Sequence, residues 1–97
     1  MAARQIILTL FHTERCGLCD NAKEALLRVQ KTVPFTLKEL NLNKPECPKE
    51  LAERYVFDTP VVHLNDKFLL QHRVDEQKLK QVLEDYQKTG KQPTPFV

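Results

Sequence analysis

Two cysteines three positions apart, in Cys16-Gly17-Leu18-Cys19, stand where the pattern of this chain changes. Before them, Gln5 to Phe11 is a nearly unbroken run of β-branched and large apolar residues. Such a run suits a strand covered on both faces and therefore central in its sheet. After them, Leu18, Ala22, Ala25, Leu26 and Val29 fall at i, i+4, i+7, i+8 and i+11, one apolar helical face that continues toward Lys31. The C-x-x-C thus sits at a strand-to-helix junction, where two sulfurs at this spacing can close a small disulfide ring. A helix N-terminus carries roughly half a positive charge, which favours thiolate over thiol and lowers a cysteine's pKa. Arg15 adds a full charge beside Cys16, partly offset by Glu14. The pair reads as a redox-active dithiol rather than as two packing residues.

Composition narrows the setting. Ninety-seven residues make one domain, with 41% hydrophobic and 29% charged residues in the globular range. No apolar run approaches the roughly 18 residues of a membrane span. Met1-Ala2-Ala3-Arg4-Gln5 leads into the first strand without an apolar signal core, and is too short for a transit peptide, so a cytoplasmic location is expected. Three cysteines, an odd count, argue against a secreted disulfide framework and for reduced thiols with a transient catalytic disulfide. The formal charge of +2 comes from interspersed Lys, Arg, Asp and Glu, which gives no basic stripe for nucleic acid. A monomer without nucleic-acid or membrane partners is expected.

Val33-Pro34 ends the first helix, since a residue before proline leaves the α region. Phe35 to Leu40 predicts a second, half-exposed strand, completing a βαβ unit with parallel strands. Pro45-Glu46-Cys47-Pro48 predicts the opening turn of a short helix with Leu51 and Tyr55 inward. Val61 to Leu64 and Lys67 to Leu70 predict an antiparallel pair joined by Asn65-Asp66, residues that tolerate positive φ. Asp75 predicts the cap of a last helix whose Leu79, Val82, Leu83 and Tyr86 form one stripe, ended by Gly90. The expected organisation is a domain over residues 1–90 and a flexible, dispensable tail over 91–97.

The order β-α-β-α-β-β-α, with Leu8-Thr9-Leu10-Phe11 leading into Cys16-Gly17-Leu18-Cys19 and with Phe57-Asp58-Thr59-Pro60-Val61-Val62-His63-Leu64, resembles the small glutaredoxin-like proteins of the thioredoxin superfamily. The resemblance covers residues 5 to about 88. It implies an α/β thioredoxin fold, a four-stranded mixed sheet flanked by helices, and a thiol-disulfide oxidoreductase that carries electrons to disulfides. On this reading Cys16 is the nucleophile, attacking a disulfide to give a mixed disulfide, and Cys19, one helical turn on, resolves it. Gly17 leaves the approach open and Leu18 offers an apolar contact, with Arg15 beside them. The resemblance further implies that Pro60 is cis, with the Thr59–Pro60 loop facing the C-x-x-C and binding substrate.

Other residues carry blander readings. Cys47 is expected as a half-buried contact in line with Leu51, His12 as a loop bystander, and His63 on the exposed side of its strand. His72-Arg73 is expected as a solvated loop, although its charge suits an acidic substrate, and Lys23 and Arg28 as a wet helix face. The sequence also departs from the glutaredoxin pattern. Gly17-Leu18 replaces proline and an aromatic residue, Thr13 stands in place of a glutathione-holding lysine, and Gln71-His72-Arg73-Val74-Asp75 replaces a Gly-Gly-x-Asp segment, keeping at most the acid. The chain contains no Trp, so the tryptophan of the thioredoxin motif is missing too. Weak glutathione binding and a preference for protein disulfides over glutathione mixed disulfides are expected. No resident cofactor and no metal are expected; the recycling reductant is glutathione or a thioredoxin-type system. Two other functions compete: a zinc or iron–sulfur module built on the C-x-x-C, which lacks the second ligand pair of a closed zinc site, and a thioredoxin-fold adaptor without turnover.

Overall fold

The computed structural model describes residues 5–96. The expectations for Met1 to Arg4 and for Val97 lie outside the described residues. Seven elements follow in the order expected: β1 (Ile7–His12), α1 (Gly17–Gln30), β2 (Thr36–Asn41), α2 (Lys49–Tyr55), β3 (Val61–Leu64), β4 (Lys67–Gln71) and α3 (Glu76–Thr89). The sheet runs β2-β1-β3-β4, with β1 parallel to β2, and with β3 antiparallel to both β1 and β4. No described helix is long and apolar enough to cross a membrane.

One face of the sheet carries the main core. Leu8, Leu10, Val62 and Leu64 meet Ala22, Leu26 and Val29 of α1 and Leu79 and Leu83 of α3, all buried. The other face carries a smaller cluster under α2, made of Phe11, Leu42, Cys47, Tyr55 and Val61. β1 is central as expected, yet Ile7 and Thr9 stay partly exposed. The seven-residue α2 reaches only the Phe11 end of the strand.

Turn chemistry sets the register. Asn65 and Asp66 both take positive φ, 47° and 73°, as a two-residue hairpin requires. The Asn65 side chain accepts from the Ile7 N–H at 2.8 Å and donates to the Tyr86 hydroxyl at 2.8 Å, tying the hairpin to β1 and α3. Between Val62 and His63 the β3–β4 register shifts by one residue, which leaves Leu69 and Leu70 both fully buried. Asp75 caps α3 by accepting the Lys78 N–H at 3.1 Å, and Gly90 closes it at φ 73°.

Three local expectations are corrected. α2 begins after the second proline: Pro48 is its N-cap at φ −54°, ψ 133°, and Cys47 lies in the preceding turn, because proline holds the residue before it out of the α region. His63 is not on an open face. Its ring packs edge-on against Phe11 and Tyr55, and its Nε2 lies 3.0 Å from the Tyr55 hydroxyl. Burial pushes its pKa below the ordinary histidine value. The C-terminal segment, expected to be a flexible tail, returns to the core. Phe96 is 8% exposed, its N–H donates to the Leu69 carbonyl at 2.9 Å, and the Lys78 ammonium sits 4.9 Å from its ring centre.

The depressed His63 pKa makes a prediction. The unfolded chain takes up a proton at this residue near the ordinary value of about 6.5, before the folded chain does. The unfolded state therefore binds more protons in that window, so stability falls as pH drops below about 6.5 until the lower folded pKa is passed. Chemical denaturation between about pH 7.5 and 5 should show this slope, and His63→Gln should flatten it. An unchanged slope in the variant refutes the assignment.

Candidate active site

The cysteine pair is assembled by the junction between β1 and α1. Cys16 is the N-cap of α1, with extended backbone at φ −107°, ψ 101°, and its Sγ accepts the Cys19 N–H at 3.1 Å. A cap position needs an acceptor for the helix's free N–H groups, and here sulfur fills that role. Cys16 and Cys19 are joined as a disulfide with their Cα atoms 5.2 Å apart. Cys16 is half-buried at the surface, whereas Cys19 is 4% exposed on the inner face of α1. The two sulfurs therefore differ in access.

The predicted neighbours are arranged around this pair. Arg15 is exposed and holds φ 57°, a left-handed turn that carries the chain into the helix. A Cβ on Gly17 would meet nothing within 4 Å, so the approach there is open. Leu18 is 45% exposed. The Thr59–Pro60 peptide is cis and Pro60 is buried. The Thr59 hydroxyl lies 3.2 Å from that of Thr13, which joins the loop before β3 to the loop before Cys16. The latter loop is also held from the β2 side, where the Asn43 side chain accepts the Glu14 N–H at 2.9 Å.

The third cysteine stands apart. Cys47 is the one free thiol among the described residues, buried in the α2 cluster, and burial pushes its pKa up. Such a thiol is unreactive. Among the described residues no group of three or more His, Cys, Asp or Glu side chains is placed to hold a metal ion.

Several residues at this end of the molecule do more than their sequence readings indicate. A groove of about 350 Å³ opens beside Leu18, between α1 and the β4–α3 loop, lined by Asn21, Arg28, His72, Arg73 and Glu76. Arg28 is more than a wet surface residue. Its guanidinium donates to Glu76 through Nε at 3.0 Å and Nη2 at 2.9 Å, bridging α1 to α3 across the groove. That bidentate pair lowers the Glu76 pKa and raises that of Arg28. The available signal is spacing: Leu18, Asn21, Ala25 and Arg28 fall at i, i+3, i+7 and i+10, and the small side chain of Ala25 leaves a trough. His72, expected in a solvated loop, takes φ 70° and donates its backbone N–H to the Pro60 carbonyl at 2.7 Å. The left-handed geometry that glycine would take without strain is thus adopted by histidine. The His72 Nε2 lies 3.5 Å from the Asp58 carboxylate. Phe57, next to Asp58, is 93% exposed.

Comparison with known proteins agrees with this architecture. The profile of the glutaredoxin-like domain (DUF836) matches residues 7–84. A curated relative, the "Glutaredoxin-like protein YDR286C homolog" of Dictyostelium discoideum, is 33% identical over 80 residues, which span 78% of this chain and 73% of the relative. Among solved structures, thioredoxin-2 of a malaria parasite superposes with TM-score 0.64 at 22% identity, covering 84% of this chain and 82% of that one. A thioredoxin variant from Halobacterium salinarum gives 0.63 at 18% identity, covering 95% and 80%. The thioredoxin fold is shared with these structures, and by the family match across most of its length the chain is a member of the glutaredoxin-like (DUF836) family.

Proposed function

We propose that the protein is a thiol-disulfide oxidoreductase with protein disulfides as its preferred substrates. The observation that carries this reading is the Cys16 sulfur at the cap of α1, accepting the Cys19 N–H at 3.1 Å. In the reduced protein the same N–H and the helix dipole favour a Cys16 thiolate. That thiolate attacks one sulfur of a substrate disulfide, forms a mixed disulfide and releases the other sulfur as thiolate. The Cys19 thiolate then attacks the Cys16 sulfur, releases the second substrate thiol and leaves the Cys16–Cys19 disulfide. Two electrons pass from the dithiol to the substrate, and a reductant, glutathione or a thioredoxin-type system, restores it.

The preference for proteins rests on the glutathione-reading positions. Thr13 replaces the lysine and is engaged with Thr59. His72 and Arg73 stand where a smaller segment would leave the backbone bare. A charged hydrogen bond from Arg73 to a glutathione carboxylate would contribute roughly 1.5–3 kcal/mol. That is less than a lysine and a closely approached backbone would supply together.

Alkylation of the reduced protein against pH tests the roles. Cys16 should titrate below the free-thiol value of about 8.5 and react first, with Cys47 last. If Cys19 reacts first, or all three titrate near about 8.5, the assignment fails.

A further inference from the structure

Four large apolar side chains are exposed among the described residues, Leu18, Leu27, Val56 and Phe57, and of these Phe57 is 93% exposed. A phenylalanine held in water forgoes the stabilisation that its burial would return. It is carried on a hydrogen-bonded turn. The Asp58 N–H donates to the Tyr55 carbonyl at 2.8 Å, the Asp58 carboxylate meets His72, and Thr59 meets Thr13. His72 is also part of the groove beside Leu18. Phe57 and Asp58 are thus linked through His72 to the groove, and the groove is linked to the Cys16–Cys19 pair through Leu18, which lies between the two cysteines.

The charges of that surface are uneven. In the groove Arg28 is neutralised by Glu76, and on its rim His72 faces Asp58. Arg73 is exposed and makes no ion pair among the described residues. The surface thus presents an uncompensated Arg73 in the groove lining and one bare aromatic ring, while Arg15, exposed and likewise without an ion pair among the described residues, stands next to Cys16.

We propose that this surface docks an extended protein segment with an acidic residue for Arg73 and an apolar residue for Phe57, flanking the substrate cysteine. The proposal rests on the redox reading above and names its substrate class. Arg73 lines the groove and Phe57 lies outside its lining, so an extended polypeptide is long enough to meet both.

The test uses three synthetic peptides, each with one cysteine activated as a 2-pyridyl disulfide. Cys16 of the reduced Cys19→Ser protein attacks the peptide sulfur, forms the mixed disulfide and releases 2-thiopyridone, which is followed by absorbance. The flanks are Glu and Leu, Lys and Leu, or Glu and Ser. The Glu/Leu peptide is expected to react about tenfold faster than either other. Arg73→Ala should erase only the Glu/Lys difference, and Phe57→Ser only the Leu/Ser difference. Leu27→Ser, an exposed apolar change elsewhere, should leave both. Equal rates for the three peptides, or preferences unmoved by the variants, overturn the docking surface and leave the redox reading standing. Sedimentation showing a dimer that Phe57→Ser dissolves assigns the patch to a second copy and overturns it as well. Inertness toward all three peptides overturns the redox reading, and this proposal with it.

Discussion

Cys16→Ser is expected to abolish reduction of a protein disulfide, with turnover falling on the order of a thousandfold or more, as loss of a nucleophile entails. Cys19→Ser should behave differently. Its Cys16 thiolate still attacks, but nothing resolves the product, so the protein accumulates as a mixed disulfide visible by intact mass. The asymmetry follows from position: Cys16 caps α1 at the surface, while Cys19 lies on the inner face of the helix at 4% exposure. A thiolate that is buried cannot meet a protein substrate, yet it can reach a sulfur one helical turn away. Retention of more than a tenth of wild-type turnover by Cys16→Ser, or trapping by Cys16→Ser instead of Cys19→Ser, would overturn the assignment.

The second large effect is structural. Phe96→Ala is expected to cost about 3 kcal/mol of stability, since it empties a site in the main core rather than trimming a tail. Of this, about 0.5–1 kcal/mol reflects the Lys78 ammonium over the ring. For a domain of this size the melting temperature should fall by more than about 10 °C. Urea denaturation with an unchanged m-value is the check. A loss below about 0.5 kcal/mol would mean that Phe96 does not hold the core together.

The two predictions sit on opposite sides of what the sequence makes legible. The elements are readable because each carries its own period: Leu18 to Val29 at helical spacing, and Leu79 to Tyr86 likewise. The hairpin at Asn65-Asp66 and the caps at Asp75 and Gly90 are readable because their chemistry is local. Cys16 and Cys19 are readable as a pair because strand and helix patterns meet at them. The cis form of Pro60 is legible through family resemblance, not through its own residue type.

What stays hidden is non-local. Phe96 follows two prolines and shows no periodicity, and only the fold brings it to Leu69. His63 alternates correctly in its strand, but alternation cannot say whether the second face of a sheet is covered. That depends on where α2 begins, which Pro48 shifts past Cys47. Arg28 pairs with Glu76, 48 positions away, so neither residue announces the other. Phe57 reads as the approach to a strand, and its exposure is visible only when the turn is built.

The short helix α2 gives the end of the molecule that carries Cys16 and Cys19 two kinds of wall. It has seven residues, no side-chain cap bond, and Tyr55 as its one buried residue, too little to be stable outside its cluster. Its amide protons should therefore exchange with solvent through local opening, at free energies well below that of global unfolding. The amides of β1 and of the inner turns of α1, set on the main core, should wait for the whole domain to open. The turn bearing Phe57, Asp58 and Thr59 is attached to the yielding wall and the Cys16–Cys19 pair to the stiff one. Under the proposed function, a bulky substrate would be accommodated by a local shift of one side of the rim while the Cys16–Cys19 pair keeps its geometry on the other.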